Sequence, residues 1–417
     1  MSKSPSSPPA TVAQQLAEWS HRFVPSEDDL ALANRSLIDT VAVACAATSE
    51  PLVKRTATMG RAGRWAVAAH VLDFDDLHLP STAHISTVVV PAVLACGGDA
   101  RAYLVGAGVM ARLGAALGWG HYSSGWHATC TSGAPAAAAA AAAALGLDVT
   151  QTAHAIALAI PAAGGVQRAF GTDSKALQVG FAVDGGVRAA MLAGEGAMAD
   201  PSAVDAWMRL VGAGSMKVEL DGPAVPDGLA IKLHPCCYAM QRPIAAIREF
   251  AADVDHAEVS RVSISTPSCS VQPLIHRRPT TGLQGKFSLE YAIATALLDG
   301  FPGLDSFTDE AVRRPAAQRL IHCVEVETTP GGEGMLAGSV EIKLELTGGR
   351  IVVAKSSVPP GAPTRAPSDA DIAKKVASCD PSLVAMLPSM SWADAAAVMH
   401  DRFGVRASEA FADLKTP

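Results

Sequence analysis

The chain has 417 residues, of which 49% are hydrophobic and 18% are charged, and its formal net charge at pH 7 is −7. A chain of this length and apolar content can bury a large core, and typical domain sizes suggest about two or three domains. Acidic and basic residues are interspersed, whereas a nucleic-acid surface needs a basic stripe, so we expect no nucleic-acid partner. The eight cysteines form no CxxC or Cys/His zinc motif, which favours reduced thiols in a cytoplasmic protein and predicts no metal site.

The amino-terminal ten residues are polar and proline-rich. They lack the apolar stretch of a signal peptide, so we predict a disordered tail. The apolar run from Ile85 to Cys96 is too short to span a bilayer and contains Pro91, and we expect no contact with a membrane.

A helical pattern extends from Val12 to about Val254. Ser26, followed by three acidic residues, predicts a capped helix start. Pro135 and the alanine run after it predict a helix that ends near Gly146. Because a surface helix normally carries more charge, this alanine helix is expected to pack closely against its neighbours.

The segment from Val105 to Ala116 contains a GxGxxA pattern. In a strand–turn–helix unit this pattern would predict dinucleotide binding. The residues from Asp99 to Leu104 have a helical rather than a strand pattern, however, and no alternating strands flank the segment. We therefore expect these glycines to permit close helix packing, and we predict no nicotinamide cofactor.

From about Glu258 the apolar period changes to two, which is typical of strands. The segments Val340–Leu346 and Ile351–Ala354 predict a hairpin through Thr347-Gly348-Gly349, and Phe287–Gly300 predicts a helix. The expected protein is mainly α with an α+β lid. A large all-helical domain comprises residues 1–254 and 369–417, and a smaller inserted α/β domain comprises residues 255–368.

The stretch HVLDFDDLHLPSTAH crowds Asp73, Asp75, Asp76, His78 and His84 against an apolar run. Carboxylates and imidazoles are costly to bury unless they are paired or change protonation state, so this cluster predicts a cleft. Either of the adjacent aspartates could instead cap the following helix.

Other ionisable residues interrupt apolar or glycine-rich sequence at loop or helix edges. Histidine and tyrosine can exchange protons, whereas lysine and arginine can hold carboxylates. Tyr291 also shares an apolar helical stripe, which favours core packing, and adjacent arginines are often surface residues. These candidates are His127, Lys175, Lys232, His234, Arg277, Arg278, Lys286 and Tyr291.

In their order along the chain and in their residue types, these segments resemble the MmgE/PrpD family, which includes 2-methylcitrate dehydratases, cis-aconitate decarboxylases and iminodisuccinate epimerases. The resemblance rests on DFDDLHLPSTAH, GWHATCTSGAPAAAAAAAAALGLD, GTDSKALQVGFAVDGGVRAAMLA, IKLHPCCYAMQRPIAAI and GLQGKFSLEYAIATALLDG, and it spans roughly residues 30–300. It implies a helical domain with an inserted α/β lid, a homodimer, and an active site between the domains without metal or organic cofactor.

The resemblance also implies roles for individual residues. The implied catalytic residues are Asp73, His84, His127, Lys175 and Tyr291. The implied substrate-binding residues are Lys232, Cys237, Arg277, Arg278 and Lys286.

Four features depart from the family pattern. One additional residue separates the aspartates from His84, and Gln178 stands where many relatives have histidine. Cys237 and Gln241 lie near positions that are histidine in decarboxylase-like and dehydratase-like relatives, respectively. The segment RRPTTGLQGKFSLEY is closer to the epimerase-like branch.

These residues favour a cofactor-independent lyase, either a dehydratase or a decarboxylase. It would act on a small di- or tricarboxylic acid by proton transfer at the carbon next to a carboxylate, where cationic groups must meet the developing negative charge. The second expectation is an epimerase or isomerase of a small dicarboxylate. The third is a non-catalytic carboxylate-binding protein on the same fold.

Overall fold

A computed structural model describes residues 9–386 and 389–404. Most of the predicted amino-terminal tail, residues 1–8, lies outside the described residues. The helices before the sheet are α1 (Val12–Arg22), α2 (Glu27–Ala46), α3 (Pro51–Arg55), α4 (Arg61–Val71), α5 (Ser86–Ala95), α6 (Ala100–Ser123), α7 (Ala128–Thr131), α8 (Gly133–Leu145), α9 (Val149–Leu158), α10 (Asp173–Gly194), α11 (Ser202–Val211) and α12 (Tyr238–Phe250).

Four strands and six further helices follow. The strands are β1 (Val259–Pro267), β2 (Val324–Thr329), β3 (Val340–Leu346) and β4 (Ile351–Ser356). The helices are α13 (Gly282–Gly285), α14 (Leu289–Asp299), α15 (Asp309–Arg313), α16 (Pro315–Cys323), α17 (Asp369–Cys379) and α18 (Trp392–Phe403). The predicted fold class, mainly helical with a small α/β part, is confirmed.

Local sequence explains where the main helices begin and end. Ser26 caps α2 by accepting a hydrogen bond from the Asp29 backbone N–H, and the Asp29 side chain accepts from Ser26 in return. Helix α8 begins at Gly133, two residues before Pro135, and Gly146 caps its carboxyl end. Gly146 has a φ of 69°, a left-handed conformation that glycine adopts readily because it has no Cβ.

Small residues let the helices of the body approach closely. A Cβ at Gly186 of α10 would lie 2.4 Å from the Ala134 carbonyl oxygen of α8, so these two helices meet backbone to backbone. Two stretches, Ala100–Ser123 and Ala128–Leu145, are long and apolar enough to cross a membrane by length and composition alone. In each, 83% of the apolar window is buried inside the protein, so internal packing accounts for its composition.

The GxGxxA pattern lies entirely within α6, so it lacks the preceding strand that a dinucleotide site requires. A Cβ at Gly106 would lie 2.6 Å from the Ala140 Cβ of α8. This glycine therefore permits the close helix packing that the sequence predicts.

The four strands form one sheet in the order β2-β1-β3-β4, in which β1 and β2 are parallel and the other pairs are antiparallel. The predicted hairpin between β3 and β4 is confirmed, with Gly349 at a φ of 80° in its turn. Alternation predicts the buried residues of β1 correctly, since Val262 and Ile264 are buried. On the edge strand β2 it fails beyond Val324, because Val326 is 39% exposed.

Two apolar cores hold the chain together. The first contains the body helices together with residues of α17 and α18 from the carboxyl-terminal part. The second contains the sheet with residues of α12, α14 and α16, and it includes Phe170 from the loop before α10. The domain boundaries at residues 254 and 369 stay a prediction.

Candidate active site

The aspartate-rich loop between α4 and α5 is held in a strained backbone conformation. Asp73 has a φ of 55° and Thr82 a φ of 53°, in the left-handed region that a β-branched residue rarely adopts. Such residues cost on the order of 1–3 kcal/mol each and persist only where the surroundings enforce them. Leu77, which lies between Asp73 and Thr82, forms backbone hydrogen bonds with Ala230, and this pairing fixes the loop.

Asp73 lies at the centre of a buried ionic group. Its Oδ1 atom accepts hydrogen bonds from Lys175 Nζ at 2.9 Å and from Lys232 Nζ at 3.0 Å. Burial would raise the pKa of Asp73, but the two ammonium groups outweigh burial and hold the pKa well below its usual range. Burial likewise opposes the charge on Lys232, but Asp73 and Asp75 raise the pKa of that lysine.

His70 connects Lys175 to a second carboxylate. Lys175 Nζ lies 2.7 Å from His70 Nε2, and His70 Nδ1 lies 2.6 Å from Asp75 Oδ2. Because the ammonium can only donate, Nε2 accepts and the ring proton is on Nδ1, facing Asp75. Burial lowers the pKa of His70 to about 4, although Asp75 opposes this shift. His70 is therefore neutral at pH 7.

In both His84 and His127, the ring nitrogen Nδ1 lies beside a hydrogen-bond acceptor that orients the ring, which leaves Nε2 on the other side. His84 Nδ1 lies 2.7 Å from the Asp76 carbonyl oxygen, which fixes its proton there and leaves Nε2 as a base. His127 Nδ1 lies 3.1 Å from Cys130 Sγ and 3.3 Å from Gln178 Oε1, and since the amide oxygen can only accept, we assign the ring proton to Nδ1. His127 Nε2 is buried without a hydrogen-bond partner in the described residues. Burial lowers the pKa of both histidines, and Lys175 lowers that of His127 further.

Asp73, His84, His127 and Lys175 line a small cavity of about 10 Å³ between the two apolar cores. Phe170 and Phe287 supply apolar wall, and the Cys237 thiol, whose pKa burial raises to about 12, lines it as a neutral group. A second cleft of about 20 Å³ shares Asp73, Lys175 and Phe287 with the first. We call Asp73, Asp75, His70, His84, His127, Lys175 and Lys232 the cavity cluster.

A second buried polar group supports the opposite side of the same loop. Lys375 of α17 donates to the Phe74 carbonyl oxygen at 2.8 Å and pairs with Asp39 at 2.6 Å. Asp76 accepts hydrogen bonds from the backbone and hydroxyl of Ser86. We call Asp39, Asp76, Ser86, Tyr103 and Lys375 the buttress cluster; the Tyr103 hydroxyl lies 2.8 Å from Ser86 Oγ.

Two family models match the chain. The MmgE/PrpD N-terminal domain matches residues 62–212, and the MmgE/PrpD C-terminal domain matches residues 234–406. Together they cover more than half of the sequence. The chain belongs to the MmgE/PrpD family.

The chain is also similar to cis-aconitate decarboxylase from Aspergillus terreus, with 26% identity over an alignment of 322 positions. A cis-aconitate decarboxylase from Aspergillus terreus strain NIH 2624 / FGSC A1156 gives the same identity and length. The match covers 65% of this chain and 64% of each relative, so it spans less than two thirds of the relatives' length.

The structure brings together most of the residues to which the MmgE/PrpD resemblance assigns a role. The cavity is lined by Asp73, His84, His127, Lys175 and Cys237, and Lys232 is bonded to Asp73 directly behind it. Lys286 lines the second cleft and donates to the carbonyl oxygens of Leu72 and Pro235.

The structure does not bring Tyr291, Arg277 or Arg278 to either cleft within the described residues. The Tyr291 hydroxyl donates to the Ser306 carbonyl oxygen and its ring packs on Phe307. Arg278 is about half exposed and lies 3.8 Å from Glu290. These contacts agree with the structural alternatives that the sequence offers, which are core packing for Tyr291 and a surface position for the arginine pair.

Other candidates hold the surrounding loops. His78 bonds Ser81 and the Pro226 carbonyl oxygen, and His234 bonds the Pro302 carbonyl oxygen. Gln241 donates to the His234 carbonyl oxygen and accepts from its N–H, which places it beneath the cavity-lining turn. Gln178, where relatives often carry histidine, orients His127.

His70, Asp75 and His84 are close enough to hold a metal ion, since one ligand atom from each lies within 4.8 Å of the others. The hydrogen bonds do not suit a metal, however. Both imidazole Nδ1 atoms carry protons that face Asp75 or the Asp76 carbonyl oxygen, whereas a metal ligand needs a free lone pair. The residues therefore fit a proton-holding network better than a metal site.

The sequence interpretation missed His70 and Tyr122. His70 opens the aspartate-rich stretch, but it lies in the last turn of α4, where its apolar neighbours favour a core position. Tyr122 lies five residues before His127 and lines the cavity. The sequence feature that could have identified Tyr122 is its closeness to the candidate His127, from which only a glycine-containing turn separates it.

Proposed function

We propose that the protein is a cofactor-independent lyase that acts on a small di- or tricarboxylic acid by proton transfer at the carbon next to a carboxylate. The observation that carries this proposal is the convergence of Lys175, His84 and His127 on one buried cavity, with Lys232 bonded to Asp73 directly behind it. The family membership and the similarity to decarboxylases support it.

The charge around the two clefts favours an anionic ligand. Asp73 and Asp75 contribute two negative charges, and Lys175, Lys232 and Lys286 contribute three positive charges. Asp173, which also lines the second cleft, is balanced by its ion pair with Arg55. Burial lowers the pKa of Lys286 only to about 8, so it stays mainly protonated at pH 7. Because the histidines are neutral, one positive charge is left in excess, and a carboxylate that enters balances it.

Lys175 is placed to stabilise an enolate-like intermediate. Its ammonium group has three protons, of which one faces Asp73 and one faces His70. The third is available to a substrate oxygen on the cavity side. A fixed cation in a site with little water stabilises charge that develops during the reaction far more than it does in bulk water.

His127 is the best-placed base. With its proton assigned to Nδ1, its Nε2 atom is a free base, buried and without a partner among the described residues. A bound carboxylate raises the proton affinity of a nearby imidazole, so the same nitrogen can hold the abstracted proton and return it. In a dehydratase, the enolate formed by proton abstraction expels hydroxide, which takes up the returned proton and leaves as water. In a decarboxylase, loss of carbon dioxide forms the enolate, which is then protonated at carbon.

Proton NMR in heavy water tests this proposal. Purified protein is incubated separately with cis-aconitate, methylcitrate, citrate and iminodisuccinate. A lyase forms a new product, an epimerase returns deuterium-labelled substrate, and a carboxylate-binding protein causes no exchange. Only the first result supports the proposal, and either of the others contradicts it.

The His127→Asn variant tests the assigned base, because asparagine keeps a short polar side chain but cannot accept the proton. We expect turnover to fall by about 10²–10⁴-fold with the fold retained. The matched control is His322→Asn, since His322 lies on α16 and bonds its own helix at the Gln318 carbonyl oxygen. An equal rate in His127→Asn and the wild type would remove His127 from the mechanism.

A further inference from the structure

We propose that Tyr122 supplies a hydroxyl that donates a hydrogen bond to a carboxylate or enolate oxygen of the substrate. This inference rests on the proposed function and adds a catalytic residue to it. The observation behind it is a phenol that lines the same cavity as Asp73, His127 and Lys175 and whose hydroxyl makes no hydrogen bond within the described residues.

A kink in α6 brings Tyr122 to this position. Gly118 interrupts the helix with a φ of 76° and a ψ of 174°, which redirects the last turn. A Cβ at Gly118 would lie 2.7 Å from the Gly214 Cα atom. The sharp bend and the close backbone approach both require glycine here.

The turn that follows the kink is held firmly. His121 lies 2.6 Å from the Val211 carbonyl oxygen and 2.8 Å from Thr131 Oγ1. The Tyr122 ring lies 5.3 Å from the Trp119 ring, and Tyr122 is 3% exposed. Its phenol is therefore preorganised rather than free to swing into solvent.

The two tyrosines differ in what their hydroxyls contact. Within the described residues, Tyr122 takes part in side-chain hydrogen bonds only through its backbone carbonyl, which accepts from Gln167 and Gln272. The Tyr291 hydroxyl donates to the Ser306 carbonyl oxygen. Tyr238 also lines the cavity and its hydroxyl is buried without a partner in the described residues, but its charged neighbour is Arg242. The Tyr122 phenol lies near Asp73 and Cys237, so it is the one placed to donate to a ligand beside Asp73.

Tyr122 acts as a donor rather than as a base. Burial raises its pKa well above the usual value, and the neighbouring Cys237 and Asp73 raise it further. The phenol thus keeps its proton at neutral pH. Its hydrogen bond to a substrate carboxylate strengthens as negative charge moves onto the enolate oxygen, so it contributes mainly to the reaction step.

The Tyr122→Phe variant removes this hydroxyl and keeps the ring. A hydrogen bond to a charged group is worth about 1.5–3 kcal/mol, so we expect kcat to fall about 10–100-fold with a smaller change in KM. The melting temperature should be unchanged or higher, because the lost hydroxyl has no protein partner. A structural tyrosine would show the opposite pattern.

The matched control is Tyr291→Phe. It removes the bond to Ser306, so its melting temperature should fall while kcat stays within about twofold of the wild type. A wild-type kcat in Tyr122→Phe, or a larger loss of kcat in Tyr291→Phe, would overturn the assignment.

Citrate binding separates this inference from the proposed reaction. If the wild type converts none of the acids, calorimetric titration with citrate still reports on the hydroxyl. Binding to the wild type that weakens a few-fold in Tyr122→Phe supports the donor and contradicts only the lyase, because a carboxylate carries less charge on the contacted oxygen than the enolate does. Equal binding by both proteins, or no binding by the wild type, contradicts the role of Tyr122.

Discussion

The cavity cluster and the buttress cluster share one loop and the same residue types, but they face different surroundings. In the first, Asp73 pairs with Lys175 and Lys232 beside an open cavity. In the second, Asp39 pairs with Lys375 inside the helical core. The loop residues Asp75 and Asp76 are adjacent in sequence yet belong to different clusters.

The difference shows what marks a candidate site in this protein. A buried lysine–aspartate pair is present in both clusters and so does not identify one. Unpartnered polar atoms beside open space do: His127 Nε2 and Asp73 Oδ2 have no hydrogen-bond partner among the described residues. Four substitutions or sets of substitutions test this contrast, the first with the largest expected effect.

Replacing Lys175 by methionine should abolish most turnover. The change removes the positive charge that faces the substrate and leaves Lys232 to balance Asp73, so we expect kcat/KM to fall by about 10³-fold or more. Steady-state kinetics with the acid identified by NMR measure this loss. Lys343→Met, at an exposed lysine of β3, is the control, and a comparable loss in that variant would contradict a specific role.

Replacing Lys375 by methionine should act on stability instead. The Asp39 carboxylate would stay buried without its cation, which costs about 3–5 kcal/mol, while kcat per folded molecule stays within a few-fold of the wild type. Urea unfolding and kinetics measure the two quantities. The double variant Asp39→Asn/Lys375→Met should recover much of the stability, and additive losses would show that the pair does not interact.

The two clusters should respond to pH in opposite directions. Asp76 has a pKa raised by burial to about 7, so between pH 5 and 6 the folded state keeps a proton that the unfolded state has lost, and stability falls as pH rises. His70, with a pKa of about 4, is neutral when folded, so its contribution is lost as pH falls below 6.5. Asp76→Asn should make the slope of unfolding free energy between pH 5 and 6 more positive by about 1 kcal/mol per pH unit. An unchanged slope in urea titrations would contradict the raised pKa.

The smallest effect is expected for the arginine pair. Arg278 is about half exposed, and neither arginine lines the two clefts. The double variant Arg277→Ala/Arg278→Ala should therefore keep kcat/KM within about twofold of the wild type. A larger loss in steady-state assays would indicate that these residues reach the substrate during turnover.

Local sequence was sufficient to predict several helices and strands and part of the candidate site. Caps, glycine stops and alternating residues predict α2, the end of α8 and the β3–β4 hairpin, because these features depend on neighbours in the chain. The aspartate-rich stretch predicts a cleft because so much buried charge must find partners.

The remaining details depend on tertiary packing. Asp75 and Asp76 have identical side chains, and only the fold directs one towards His70 and the other towards Ser86. Tyr122 depends on the bend at Gly118, and Tyr291 finds its acceptor at Ser306, fifteen residues further along the chain. The periodicity of apolar residues predicts neither the bend at Gly118 nor the acceptor at Ser306, so it does not show which of the two tyrosines reaches the cavity.

The bond from Lys375 to Phe74 joins residues 301 positions apart in the sequence. A chain that emerges from the ribosome therefore contains every member of the cavity cluster long before it contains this support. We expect a partly synthesised chain to populate the folded loop less than the complete protein does, because the buried Asp39 carboxylate then lacks its cation, so that stable folding of the site coincides with completion of the chain.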